Sequence, residues 1–302
     1  MEKIVLDANL IKKYHQDIVY NYSEYPTLDH WNTDYRDVDY KKSLLDWLPK
    51  NSNKPITFYV HIPFCEQLCW FCTCSKFITK NYENVKDYLI YLHKELDLLF
   101  GILKKNKIKL NVETVYFGGG SPTFLSREDL KELVDKLKNN FDWSKVKNFT
   151  IETDPRRVDV DRLMYNHKVC GANRISFGMQ DFDENVQRRV NRAQSAELFQ
   201  KLLTKEVREA YKTIAFDLLV GQPGQTAESM SNTCDDIIKL RPTLVQLSLM
   251  AYKPWIAKYQ IRMVEEGPLP DFLERKELME VIHRKLKASG YVRVGFESYA
   301  LP

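Results

Sequence analysis

The sequence is short of almost everything that marks a membrane, secreted or fibrous protein. No stretch approaches about 18 uncharged apolar residues, so no membrane span is expected. The opening residues, "MEKIVLDANLIKKYHQ", are charged and broken by polar side chains, and they lack the apolar run of a secretory signal. The expectation is therefore a soluble cytoplasmic protein with reduced thiols. Glycine and proline are scarce, 11 and 12 in 302 residues, which excludes collagen-like and low-complexity classes and makes any glycine run informative. No dense basic tract occurs. The 45 basic and 41 acidic residues are spread evenly for a net charge of +4, so neither a nucleic-acid partner nor a membrane surface is expected. Internal repeats are absent as well. Cysteine is rare too, with six in all, yet four of them fall within "CEQLCWFCTC", residues 65–74.

Four thiols so close together admit several readings. A disulfide staple fits poorly with reduced thiols. A zinc knuckle usually draws its ligands from two separated pairs, and Cys170 and Cys234 are solitary. A redox C-x-x-C pair fits Cys69 and Cys72 but leaves Cys65 unexplained. Iron–sulfur clusters are held by thiolates at short spacings of this kind. Three ligands on a four-iron cube leave one iron open for a cofactor or substrate, whereas Cys74 as a fourth ligand would close it. The spacing by itself does not choose among these readings.

The rest of the chain is regular. Residues 1–54 read as an irregular arm with a short helix at 36–48. From 55 onward, short β-branched and aromatic runs (56–62, 112–117, 148–153, 173–178, 213–219, 244–249, 291–296) alternate with helical segments (84–105, 126–140, 183–191, 195–211, 226–240, 270–289). That alternation predicts βαβ units and a parallel sheet. The strands read as near-continuous apolar runs, the pattern of strands covered on both faces. In such folds chemistry gathers at the C-terminal ends of the strands. The unusual segments all follow strands: "PFCEQLCWFCTC", "GGGSPT", "ETDPRR", "GMQDF", "GQPGQT" and "MAYKPW".

In C-x3-C-x2-C with Phe71 just before the third cysteine, the chain resembles the radical S-adenosylmethionine (radical SAM) enzymes. The segments "YVHIPFCEQLCWFCTCSKFITK", "GGGSPTFL", "IETDPRRV", "NRISFGMQDFDENVQRRVNRAQ", "FDLLVGQPGQT" and "LSLMAYKP" resemble, in order, the oxygen-independent coproporphyrinogen III oxidases within that superfamily. "YNYSEYPT" resembles their N-terminal arm, so the likeness covers about residues 14–300. It implies an α/β fold, an incomplete parallel (β/α)6 barrel over 55–302 behind the arm. It further implies a [4Fe–4S] cluster held by Cys65, Cys69 and Cys72, with Cys74 not a ligand, and SAM, two molecules of it. Tyr59, Gly119 and Glu152 would face the first SAM. Gly120, Ser121, Gln180, Arg192 and Asp217 would face the second, with Phe71 packed beside it. Ala251 and Val294 match small apolar positions near the nucleosides.

The implied activity is a radical SAM oxidoreductase reaction of haem biosynthesis. Two propionates of a coproporphyrinogen III-like tetrapyrrole become vinyl groups in a monomeric enzyme served by an electron donor such as flavodoxin or ferredoxin. Arg156, Arg157, Arg174 and Lys253 are candidate partners for the substrate carboxylates, since guanidinium binds carboxylate bidentately. Each residue also has a plainer reading. Tyr59 suits a strand core, the glycines suit a tight turn after a strand (which needs one rather than three), Glu152 suits a solvated strand end, and a lone arginine usually lies on the surface.

Two departures stand out. Glu297 and Ser298 occupy the place of the family's Asp-His pair. The family's C-terminal helical domain has no counterpart before Pro302. Alternatives are therefore a radical SAM methyltransferase or cyclopropanase using the second SAM as carbon donor, and a non-catalytic haem-binding relative.

Overall fold

The computed structural model describes residues 33–302. The "YNYSEYPT" stretch of the arm lies outside the described residues. The described part of the arm forms one helix, α1 (Asp37–Asn51), whose Leu48 is buried in the main core.

Six parallel strands follow in sequence order: β1 (Ile56–Ile62), β4 (Val112–Gly119), β5 (Asn148–Thr153), β6 (Arg174–Gln180), β7 (Thr213–Val220) and β8 (Leu244–Leu249), each paired with the next. Two-residue strands β2 (Phe64–Cys65) and β3 (Phe77–Ile78) pair with each other at the two ends of the cysteine loop. Helices connect the long strands: α2 (Glu83–Lys105), α3 (Arg127–Lys138), α4 (Val160–Tyr165), α5 (Glu184–Arg189), α6 (Ala196–Leu202), α7 (Lys205–Ala210), α8 (Ala227–Leu240) and α9 (Phe272–Ala288). Their sequences explain them. In α2, Val85, Leu89, Leu92, Leu96, Phe100 and Leu103 fall on one face at three- and four-residue spacing and are buried. Ser126, Thr226 and Asp271 cap α3, α8 and α9 by accepting a backbone N–H three residues on. The expected helix at 195–211 is two helices, because Thr204 caps a new one and Leu203 leaves helical geometry.

Two expectations are corrected. First, the strands alternate. Outward residues such as Phe117, Ile151, Phe177 and Phe216 are fully buried against the helices, where Phe177, Phe199 and Phe216 form an edge-to-face triad. The opposite face carries Tyr59, Tyr116, Glu152, Ser176, Asp217, Gln246 and Ser248, which is a polar interior rather than a second apolar layer. Second, 291–296 is not a strand parallel to β8. Strand β9 (Val292–Val294) stops at Gly295, whose φ of +69° suits a residue without Cβ, and the chain returns as β10 (Ser298–Ala300). Strand β10 pairs antiparallel with β8, and β9 lies outside it as the sheet's edge. Strands β1 and β9 are the two edges, so the sheet is open.

Candidate active site at the C-terminal end of the sheet

Parallel pairing puts the C-terminal ends of all six long strands on one side, and the unusual segments leave from there. The cysteine loop between β2 and β3 is held by its neighbours through its backbone carbonyls. Asn191 donates to Leu68 O (2.8 Å) and Gln260 to Phe71 O (3.0 Å), while the loop's own Lys76 donates to Cys72 O (2.9 Å) and Cys74 O (3.1 Å). Tyr259 also donates to Cys72 O. Loops after β6 and β8 thus fix a segment with little regular structure of its own. None of Lys76, Asn191, Tyr259 and Gln260 was singled out from sequence, since an isolated polar residue in a loop carries no periodic signal.

The thiols differ in environment. Cys69 is buried, Cys65 and Cys72 are half-buried, and Cys74 is exposed. Arg192 Nη1 lies 3.3 Å and Arg156 Nη2 3.8 Å from Cys69 Sγ. Asp154 pairs with Arg156 (2.7 Å) and Arg192 (3.7 Å). Burial opposes its charge, but these two guanidiniums outweigh it and hold its carboxyl down at about 2. Burial, then the adjacent Cys72 and Cys69, push the Cys65 thiol up to about 12. Cys72 is raised, first by donating to Cys74 and then by burial, and Cys74 as the acceptor is lowered to about 7. As thiolates, Cys65, Cys69 and Cys72 would share this loop only against compensating positive charge, and the two arginines supply part of it. The donor set therefore fits a cationic iron core. Among the described residues no three His, Cys, Asp or Glu side chains close on the position of a single ion.

On the polar face, Tyr59 and Tyr116 are register partners with stacked rings, centroids 5.9 Å apart. Tyr116 donates to Glu152 Oε1 (2.7 Å), and the Gly119 N–H donates to Oε2 (3.1 Å). Tyr59 O–H meets His61 Nδ1 at 3.0 Å, and His61 Nε2 meets Ser75 O at 2.8 Å. Burial, then Glu152 and Cys74, raise Tyr59 to about 12. Ser176 donates to Asp217 (2.9 Å). Burial raises the Asp217 carboxyl to about 7 with help from Glu152, and neither the Ser176 bond nor Arg192 brings it back down. Gln180 has a φ of +68°, in the left-handed region that costs a non-glycine residue energy, and it sits at a register shift at the end of β6.

The glycine run fits the chain's closest approaches. A Cβ on Gly120 would stand 2.7 Å from the Pro63 backbone, and one on Gly119 would stand 2.7 Å from the His61 ring. Phe71 packs against the small apolar cluster of Val190, Leu219, Met250 and Met263, and Ala251 follows β8 with its carbonyl accepting from Gln260 (3.0 Å).

Not every expected residue joins this group. Ser121 is buried with its hydroxyl 3.1 Å from Thr123, and it lines a cavity with Cys65 rather than with the polar strand face. The reason is that its N–H pairs with Phe64 O, turning the chain into Pro122–Phe124. Val294 lies on the exposed edge strand, separated from β8 by β10. Arg174 opens β6 at its N-terminal end, away from the loops. Arg156 and Arg157 are engaged with Asp154 and Glu66, both at 2.7 Å. Lys253 follows β8, its N–H donating to Gln260. Tyr116, His61 and Ser176 were missed. The tyrosine alternates with Val115 and Phe117, so a period-two reading of β4 would have found it.

Residues 59–237 match the Radical SAM superfamily, and the chain belongs to that family. Members use a [4Fe–4S] cluster and SAM. Among curated relatives, the oxygen-independent coproporphyrinogen III oxidase of Pseudomonas aeruginosa is 33% identical over 304 residues, covering 100% of this chain and 64% of that protein. The Escherichia coli K12 protein of the same name is 30% identical, again over 100% of this chain and 64% of the relative. The solved coproporphyrinogen III oxidase of E. coli, described as a radical SAM enzyme, superposes with a TM-score of 0.83 at 30% identity, covering 95% of this chain and 65% of that one. The chain thus spans about 64% of the length of the curated relatives it matches.

Proposed function

We propose that this chain is the radical SAM portion of a coproporphyrinogen III dehydrogenase-type enzyme, with residues 55–302 as its catalytic barrel and 1–54 as an arm. The observation that carries the reading is the convergence of the cysteine loop, the glycine run, Glu152, Gln180 and Asp217 at one end of one sheet. Its likeness to curated oxidases over the whole chain supports the substrate class.

When bound, the cluster supplies the electron that cleaves SAM to methionine and a 5′-deoxyadenosyl radical. The chain's own residues bind and orient. Cys65, Cys69 and Cys72 hold the iron, and Arg156 and Arg192 offset thiolate charge at Cys69. Tyr59, Gly119 and Glu152 receive the first SAM. Glu152 is preset for a cationic amino group, because Tyr116 and the Gly119 N–H already fix its orientation. Gly120, Gln180, Arg192 and Asp217 border the site for a second SAM, with Phe71 and Ala251 as its apolar walls. Ser121 and Val294 belong to that second site only by likeness to the family. In the overall reaction each propionate would give one hydrogen atom to the 5′-deoxyadenosyl group, one electron to an external one-electron acceptor, and carbon dioxide to solvent, leaving a vinyl group. The tetrapyrrole, the electron donor and a monomeric state belong to this proposal.

The test is anaerobic reconstitution, then incubation with SAM, dithionite and coproporphyrinogen III. Expected products are methionine, 5′-deoxyadenosine and the vinyl porphyrinogen, without S-adenosylhomocysteine. Formation of S-adenosylhomocysteine would assign a methyl or methylene transfer instead, and stoichiometric zinc without sulfide would sink the cluster. Cys69→Ser is expected to lose iron and sulfide, and Cys74→Ser to retain about four of each per chain, as a three-cysteine cube requires.

A further inference from the structure

The second half of the cysteine loop is gripped by one short segment, the 3-10 helix Lys258–Val264 that follows β8. Gln260 is fully buried there with its whole amide in use. Its Nε2 donates to Phe71 O (3.0 Å) and Ala251 O (3.0 Å), and its Oε1 accepts from the Lys253 N–H (2.6 Å). Its neighbour Tyr259 donates to Cys72 O. Lys76 closes the clamp from the loop's own side. Its half-buried ammonium donates to Cys72 O (2.9 Å), Cys74 O (3.1 Å) and Tyr259 Oη (2.5 Å), and it lies 4.9 Å from the centre of the Tyr259 ring. An ammonium has three N–H donors, so all of them go to neutral acceptors. The carboxylates of this site pair with arginines instead: Asp154 with Arg156 and Arg192, and Glu66 with Arg157. Among the described residues Lys76 has no carboxylate in ion-pair range. The cations at Cys69 are thus offset by Asp154, whereas the cation at Cys72 keeps its full charge.

A charge fixed in this way acts on whatever the thiols hold. Reduction adds one electron to the cluster and breaks no bond. A cation held beside Cys72 stabilises the more negative, reduced state more than the oxidised one. We infer that Lys76 raises the reduction potential of the cluster held by Cys65, Cys69 and Cys72, and that Tyr259 is the positioning residue that keeps the ammonium there. Two features make the charge effective. Its position is set by three hydrogen bonds and a ring, so it does not swing away into water. Its partners are dipoles rather than anions, so nothing beside it cancels its field. This rests on the cluster assignment above, but the potential is measured without SAM or a tetrapyrrole.

The experiment is a mediated redox titration of the anaerobically reconstituted protein, with dithionite as reductant, read by the electron paramagnetic resonance of the reduced cluster. The wild type is compared with Lys76→Gln, Lys76→Arg and Tyr259→Phe, each checked for iron and sulfide content. Lys76→Gln is expected to lower the equilibrium constant for reduction about tenfold, which for one electron is about 59 mV. Lys76→Arg keeps the charge and is expected to stay within about twofold of the wild type. Tyr259→Phe keeps the lysine but removes its anchor, and it should fall between the wild type and Lys76→Gln. A Lys76→Gln protein that holds its iron at an unchanged potential overturns the inference. So does a Lys76→Arg protein shifted as far as Lys76→Gln, which would make packing rather than charge the agent. Where Lys76→Gln fails to hold iron, Tyr259→Phe decides, and an unchanged potential there overturns the inference as well. A wild type that takes up no iron–sulfur cluster would overturn the proposed function and this inference with it, whereas the other outcomes leave the proposed function standing.

Discussion

Asp217 shows how a single residue is set by its surroundings. It points to the polar side of β7, where it is half-buried, and desolvation raises its carboxyl to about 7. The unfolded value is near 4, so the folded protein holds an extra proton between those two pH values. The stability this gives is fully present below about pH 4 and is lost as pH rises through 7. Asp217→Asn is therefore expected to match the wild type in urea unfolding at pH 4 and to be more stable at pH 8.5 by something on the order of a few kcal/mol. Equal stability at pH 8.5 would show that the carboxylate is compensated in the folded protein. Nothing in "TIAFDLL" reveals this. The residue type was legible, but its proton affinity depends on Ser176, Glu152 and Arg192, which come from three other segments. Arg192 itself was picked out by its place in a motif. Its buried position against Cys69 Sγ, 3.3 Å away, is a fact of folding.

At the level of elements, the two kinds of glycine make opposite predictions. Gly120 lies where β4 passes the end of β1, and an added Cβ would meet backbone atoms of Pro63 and Phe64 at 2.7–2.8 Å. Backbone cannot step aside, so Gly120→Ala is expected to cost about 1–3 kcal/mol and to displace the cysteine loop, read by denaturation and by iron content after reconstitution. Gly101 sits inside α2 with nothing within 4 Å of an added Cβ. Gly101→Ala should instead stabilise by about 0.5–1 kcal/mol, since alanine loses less backbone freedom in a helix. The elements were largely readable because hydrophobic spacing of 2 and 3.6 is local. The exceptions have local causes that outweigh the pattern. Gly295 turns one expected strand into a hairpin, and Thr204 divides one expected helix into two.

At the level of the whole molecule, the cysteine loop is held by contacts from loops far away in sequence, including Asn191, Tyr259 and Gln260. Iron binding to such a loop should stabilise the entire fold, because only the folded chain assembles the three thiols. Anaerobic reconstitution is expected to raise Tm by several degrees in the wild type and in Cys74→Ser, and not at all in Cys69→Ser. A rise in Cys69→Ser would place the iron elsewhere. Among the described residues no helix is long and apolar enough to cross a membrane.

The sequence by itself determined most of the alternation of strands and helices, the parallel pairing of the long strands and the place of the cysteine loop, because each follows from local spacing or from a contiguous motif. It could not determine which strand face is polar, which hydroxyl faces which cavity, or how charge is distributed around the thiols. Those depend on pairings across 30–190 residues, such as Tyr116 with Glu152 and Tyr259 with Cys72. Ser121 is the plain case. Its motif marks it for the strand face, but the hydrogen bond from its N–H to Phe64 O turns it toward Cys65 and the outer cavity. A backbone hydrogen bond between the glycine loop and β2 decides that orientation, and only the folded chain brings the two together.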